Sequence, residues 1–439
     1  MRTGGAGTSC ALRIAFAAIV ASAVVPQVAG AAPRVKLQPV AGLPPNAARG
    51  LANGPGGEVW MTSDQIGSFV ARISKGGKLL KVVPVPGRPD SITRGPDGAM
   101  WTTLRDRGAV ARVTREGAVS LFPVPLPAGS EPRKIVTGPD GALWVTLFRA
   151  SAVGRLTTSG QWTIFKGGLT PGGEQLGLAS AGGALWLTEP RSDRVVRMTT
   201  AGVATGFAVS NASGPEDITP GLGGDLWFTE DDGDRIGRIT QSGRVTEYAA
   251  GITPGANPFN IVRGPDDAMW FTEAVGNRVG RTTPDGFITE YDMPAGAVPR
   301  GIVRGGKRLW VALAGTGGVA RFKPPPAPEV PGGLAASWDV QGGRVKLNTL
   351  LLTGLKRFSR VTAKCKGSCP RRSFKKSGVE ELNLRKQFPS LGRGAKLDIR
   401  IAATGYSTKV RLLTATSGGI DAKSRCVTPN TKKLRTKCG

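Results

Sequence analysis

Trp60, Trp101, Trp144, Trp186, Trp227, Trp270 and Trp310 follow one another at intervals of 41, 43, 42, 41, 43 and 40 residues. A near-constant period of roughly 40 residues marks one supersecondary unit repeated along the chain, because such a unit cannot bury its apolar face alone. The same pattern surrounds each tryptophan. In the second unit Asp90-Ser91-Ile92-Thr93 precedes the turn Gly95-Pro96-Asp97-Gly98; Met100-Trp101-Thr102-Thr103, then 110–114 and 118–124, complete it. Four short alternating segments separated by Gly, Asp and Pro read as four strands. Asp97-Gly98 and Asp140-Gly141 are hairpin turns between the first two. Four strands repeated seven times predict an all-β chain built on a seven-bladed β-propeller.

The seventh unit supplies three strands, ending at Val319-Ala320-Arg321-Phe322. Residues 35–40 read as a fourth strand and are expected to close that blade, since an open ring would expose unpaired strand edges. Ahead of them, Arg2 and Arg13 flank an apolar run, 14–25, that ends in the small residues Val28-Ala29-Gly30-Ala31-Ala32. This is the pattern of a signal peptide over 1–31 and predicts a secreted protein. No later stretch reaches the ~20 apolar residues of a membrane helix.

The propeller is expected over 32–322, and a stiff proline-rich linker over 323–333. Beyond it the charge changes: residues 332–439 hold 24 lysines and arginines against five acids. Five or six short strands there (344–352, 360–364, 381–384, 396–402 and 408–415 among them) predict a small Ig-like β-sandwich over 334–439. Its four cysteines, Cys365, Cys369, Cys426 and Cys438, are expected to form two disulfides, local pairing being the simplest of three connectivities. The positive charge suits an anionic cell-wall polymer.

Because the units align with one another, features shared by all seven read as structural and departures as functional. The third-strand arginines 72, 112, 155, 197, 238, 281 and 321 are shared, and are expected to bind backbone or carboxylates between blades. The position three residues after each tryptophan departs: Ser63, Leu104 and Leu147, then Glu189, Glu230 and Glu273, then Leu313. Hairpin geometry places this position and the start of the first strand at one rim. That rim is expected to gather Glu189, Glu230, Glu273, Glu216, Asp217, Asn257 and Asn260 opposite Arg49, Arg133 and Arg300. Such a mouth suits a small polar or peptidic ligand. Mg²⁺ or Ca²⁺ on Glu230 and Glu273 would need no histidine.

The unit Asp225-Leu226-Trp227-Phe228-Thr229-Glu230, with 235–240 and Thr246-Glu247-Tyr248, resembles the virginiamycin B lyase (streptogramin lyase) family, and 268–291 repeats it. The resemblance implies a seven-bladed propeller that opens cyclic depsipeptides by Mg²⁺-assisted elimination at an ester. In that family a histidine follows the proline opening a first strand and works with a glutamate after Trp-Phe-Thr. Glu230 and Glu273 match the glutamates; Glu216 and Phe259 stand where the histidines are expected, and the chain contains no histidine. Three functions therefore compete. One is a propeller, taken as a monomer, that binds without family chemistry. The second is a Mg²⁺-dependent carbon–oxygen lyase or a lactonase using Glu216, Glu230 or Glu273 as base, and the third a surface scaffold.

Overall fold

The computed structural model describes residues 34–43, 48–64, 67–341, 344–356, 359–417, 419–427 and 434–435. The 1–31 segment and Cys438 lie outside them. Contacts divide the chain into two compact units, one built on Ala32–Glu329 and one on Val330–Ile401 with Val410–Ser424.

The first unit is a succession of seven four-stranded antiparallel sheets. In the second blade Pro89–Arg94, Met100–Leu104, Ala109–Val113 and Val119–Pro123 pair in chain order. Its first turn ends on Gly98 at φ +80°, a conformation glycine adopts without steric cost. Asp97 in that turn accepts the Trp101 indole N–H at 2.9 Å and Arg112 Nε at 2.6 Å. Asp140 does the same for Trp144 and Arg155, and Asp266 for Trp270 and Arg281. The carboxylate partners of these third-strand arginines thus belong to their own blade, not to a neighbour. Across the boundary the arginines reach carbonyls: Arg72 donates to the Arg115 oxygen at 2.7 Å, and Arg321 to that of Lys75 at 2.8 Å.

Each tryptophan is buried in the core of the blade that follows. Trp60 packs with Ile92, Met100 and Ala111, and Trp101 with Ile135, Leu143 and Val145. The sequence continues round to Trp310, which lies with Val59, Met61 and Ala71 of the first blade. A second tie runs nearer the axis. In six blades the first strand slips register after its opening residue, for example between Pro132 and Ile135. The bulge frees an N–H, which the threonine two places after the tryptophan accepts. Lys134 donates to Thr146 Oγ1 at 2.9 Å, Asp217 to Thr229 at 3.0 Å, and Asn260 to Thr272 at 3.1 Å. The same hydroxyls donate to the first-strand carbonyls of the next blade: Thr146 to Leu176, Thr229 to Phe259, Thr272 to Arg300.

The last blade takes its outer strand from the other end of the chain. Gln38–Pro39 pairs antiparallel with Val319–Phe322, and the Val40 N–H donates to the Val319 carbonyl at 2.9 Å. Val35 is buried beside Tyr291 and Met293, Val40 beside Phe69 and Val319.

The second unit carries two sheets. One joins Gly333–Gln341 and Arg344–Thr353 with the short strands Leu382–Asn383 and Ser390–Gly392. The other has six strands, with Ser373–Ser377 at one edge next to Arg360–Lys366. Gly333–Gln341, Ser373–Ser377 and Gly419–Val427 are strands the sequence reading left out. The first begins in a Pro-Gly-Gly run, and the second is almost wholly exposed, so neither shows clean alternation. Cys365 and Cys369 form a disulfide, and Cys426 is also disulfide-bonded. Among the described residues no helix is long and apolar enough to cross a membrane.

A chain begun at Leu43 loses the strand on Val319–Phe322 and the burial of Val35 and Val40. At ~1.5–3 kcal/mol per buried aliphatic side chain, urea unfolding should register a loss of about 3–6 kcal/mol. An unchanged midpoint would show that the closing strand contributes nothing to the ring.

Candidate functional site

The first strands enclose a central cavity of about 480 Å³. One residue near the start of each lines it: Arg49, Asp90, Arg133, Leu176, Glu216, Phe259 and Arg300. Ser91, Lys134, Asp217 and Asn260 line it from the next position. Asp217 ties three blades together, accepting Lys134 Nζ at 2.6 Å, Asn260 Nδ2 at 3.0 Å and the Ile261 N–H at 3.2 Å. Asp90 accepts Arg133 Nη1 at 3.2 Å, with Arg49 Nε at 3.5 Å. Arg300 lies over the Phe259 ring, 4.8 Å from its centroid.

Two charged wall residues stand apart from this network. Among the described residues neither the Glu216 carboxyl nor the Arg300 guanidinium has a hydrogen bond or ion pair, though both are half-buried. Burial, then the charges of Asp231 and Asp217, pushes Glu216 up to about 8, against the pull of Arg133 and Lys134. A carboxyl so placed changes protonation near neutral pH.

The three glutamates expected at the rim are elsewhere. Glu189, Glu230 and Glu273 end second strands, are fully enclosed, and do not line the cavity. Each lies opposite the arginine that opens the third strand: Glu189 and Arg194, Glu230 and Arg235, Glu273 and Arg278. Arg235 Nε donates to Glu230 at 2.9 Å, and Ser213 Oγ donates to the same oxygen. Glu189 accepts the Thr170 N–H and Gln175 Nε2, both at 3.0 Å, with Arg194 at 3.5 Å. Where the position is Leu104 or Leu147, the residue opposite is Ala109 or Ala152. In these five blades charge faces charge and apolar faces apolar, whereas in the first blade Ser63 faces Phe69. The signal was present five residues downstream, in Arg194, Arg235 and Arg278, and reading one column in isolation missed it.

The residues named for a hard cation do not assemble one. Glu230 and Glu273 stand on different blades, each against its own arginine. Among the described residues no group of three acidic, histidine or cysteine side chains could hold a metal ion. Asn257 is also off the wall. It sits at φ +52°, its N–H on Asp234 Oδ1 at 3.0 Å and its amide on the Asp231 carbonyl at 3.2 Å, where it shapes the entry to the sixth blade. Of the residues singled out from sequence, the wall therefore gathers Glu216, Asn260, Arg133 and Arg300, with Arg49 and Asp217. Asp90 and Lys134 were missed as site residues.

A profile of the virginiamycin B lyase family matches residues 37–166 and 126–327. The crystal structure of virginiamycin B lyase from Staphylococcus aureus superposes with a TM-score of 0.62 at 30% identity, covering 66% of this chain and 99% of that one. A catalytically inactive histidine-to-alanine variant of that enzyme, crystallised with quinupristin, superposes equally well, at 0.62 and 30% identity over 66% of this chain and 100% of that one. Among curated sequences, virginiamycin B lyase of Mycolicibacterium smegmatis is 51% identical over 47 residues, 11% of this chain. That stretch spans only 16% of the curated relative's length.

Glu273 allows a test of the structural reading by pH. Among the described residues neither of its oxygens accepts a hydrogen bond, and burial, then the charge of Glu290, pushes it up to about 9 from 4.5. The folded protein thus holds a proton that the unfolded chain releases above 4.5. The stability this adds is complete below that pH and is lost as pH rises towards about 9. Glu273→Gln removes the titration, so urea midpoints from pH 5 to 9 should show the variant gaining on the wild type. Parallel profiles would mean an ionised carboxylate paired with Arg278.

Proposed function

The chain belongs to the virginiamycin B lyase family, and on that premise we propose that it is a secreted propeller that binds a small polar or peptidic ligand at its channel mouth without histidine-dependent elimination. The observation that carries this reading is the composition of the wall. Phe259 and Arg300 stack side by side, Glu216 is unpaired among the described residues, and the chain has no histidine. In the S. aureus enzyme, replacement of a histidine accompanies loss of catalysis. The wall here keeps groups suited to recognition: an aromatic face for apolar ligand atoms, guanidiniums for carbonyls or carboxylates, and Glu216 for a ligand N–H. Secretion is supported by the leader pattern over 1–31 and by the Cys365–Cys369 disulfide. The basic second unit would hold the protein to anionic wall polymer.

One observation favours a second reading, a lyase with a carboxylate base. Glu216, at about 8, lies in the range that lets a general base work near neutral pH. It would take the proton from the ligand carbon next to a carbonyl, the C–H electrons forming a double bond to the neighbouring carbon as that carbon's bond to the ester oxygen breaks and the carboxylate leaves.

Calorimetric titration of the full chain with quinupristin should show saturable binding that Glu216→Lys weakens more than tenfold. Chromatography should find the antibiotic intact, with and without Mg²⁺. Ring opening that disappears in Glu216→Gln would establish the carboxylate base instead. Absence of binding at millimolar concentration would overturn both readings.

A further inference from the structure

Across the channel from Glu216, three guanidiniums converge on one oxygen. Asp64 Oδ2 accepts Arg105 Nη2 at 2.5 Å, Arg49 Nη1 at 3.1 Å and Arg88 Nη2 at 3.5 Å, and Asp64 is buried. Arg49 also reaches Asp90, which is shared with Arg133. Arg300 stands in the adjoining blade without an acidic partner among the described residues. Two aspartates thus serve four guanidiniums, Arg49, Arg88, Arg105 and Arg133, and Arg300 is a fifth beside them. Of the other acids nearby, Asp106 accepts the Arg88 backbone N–H at 2.6 Å, Glu131 pairs with Arg149 at 3.1 Å and with Arg133 at 3.7 Å, and Glu216 acts on Arg300 through its charge alone.

The excess charge is felt within the cluster. Arg105 and Arg300 are both held below the ordinary arginine value, first by burial and next by the charge of Arg49. Nor does the fold require these side chains. At the wall position of Arg49 and Arg300 other blades carry Asp90, Leu176, Glu216 or Phe259, and all close into the same ring. Each guanidinium carries five N–H donors in a fixed fork, and those of Arg49, Arg88 and Arg105 present one or two to the aspartates. Arg49 and Arg300 line the central cavity, and Arg88 and Arg105 line a second one beside it.

We propose that this arc is an oxyanion site: Arg49 and Arg300, which line the channel, receive a carboxylate, phosphate or sulfate group of the channel ligand, and Asp64, backed by Arg88 and Arg105, is the internal counter-ion that keeps Arg49 in place when the ligand is absent. The proposal rests on the channel mouth being a binding site and names the chemical class of what enters it. A forked guanidinium meets a two- or three-oxygen anion through parallel charge-assisted hydrogen bonds, which are strongest where water is partly excluded.

The test is thermal shift and calorimetry on the full chain with inorganic phosphate and, separately, acetate, at ionic strength balanced with chloride. The wild type should bind at least one of them saturably; phosphate alone points to a phosphate or sulfate ester, acetate as well to a carboxylate. Arg49→Gln with Arg300→Gln should weaken binding at least tenfold, the size expected for losing charge-assisted hydrogen bonds. Arg371→Gln with Arg372→Gln, on the second unit, should leave it unchanged. Asp64→Asn should be less stable without phosphate and gain more melting temperature from it than the wild type does. A wild-type response no greater than chloride gives, retention by the Arg49/Arg300 pair, or loss only in the Arg371/Arg372 pair overturns the site. If quinupristin still binds in that case, the oxyanion site alone is wrong and the channel reading stands.

Discussion

Every blade in this propeller leaves its tryptophan for its neighbour to bury. An indole is the largest apolar group available to a short strand, and removing one from a core typically costs ~3–5 kcal/mol. Six of the seven are at most 1% exposed and the seventh, Trp227, 3%. No blade can therefore complete its own core, and stability is shared around a closed circle. Where a turn supplies Asp97, Asp140 or Asp266, the indole N–H is satisfied and the arginine beyond it is anchored by the same carboxylate. Where glycine replaces that acid, as before Trp60 and Trp186, the buried N–H has no acceptor among the described residues. The indole stays buried all the same, which shows that apolar packing outweighs the lost hydrogen bond at this position.

The wall around the axis follows from the threonine ties. A bulge leaves an N–H without a ladder partner, and a hydroxyl that accepts from it while donating across the blade boundary satisfies three polar groups at once. With the backbone held by Thr146, Thr229 and Thr272, the neighbouring side chains Arg133, Glu216, Phe259 and Arg300 are released from packing duty. They can differ from blade to blade without opening the ring. This separates a symmetric scaffold from an asymmetric mouth, acidic on one arc and rich in arginine on the other. Charges in such a concave, partly desolvated setting act more strongly than they would on an open surface.

Much of the scaffold was legible in the chain. The tryptophan interval gave the number of blades, the Gly-Pro-Asp-Gly turns the hairpins, and the three-stranded seventh unit the need for a strand from elsewhere. The wall was legible in part: Glu216, Asn260, Arg133 and Arg300 were found because they follow first-strand prolines or begin the strand. Glu189, Glu230 and Glu273 were placed wrongly because strand periodicity assigns an end of the blade but not a side of it. Whether a residue at a hairpin end lines the axis or meets the next strand depends on what lies opposite it, here Arg194, Arg235 and Arg278 of the third strands. Asn257 was misread for a related reason. Its left-handed backbone turns its amide onto a loop carbonyl, and no spacing rule reports that.

What the sequence by itself determined is periodic: seven four-stranded units, their turns, the tryptophan that each must bury, and the absence of any histidine. These follow from local rules, because strand alternation, turn chemistry and residue identity are properties of a few neighbouring positions. What only the tertiary structure decided is which side chains share space. Arg49, Arg88 and Arg105 come from two blades and meet on Asp64; Lys134 and Asp217 are 83 positions apart and touch. Those encounters are created when the ring closes, since closure brings the start of every first strand to one axis regardless of distance along the chain. The functional character of the mouth is a product of that closure, and no window of sequence shorter than the whole ring contains it.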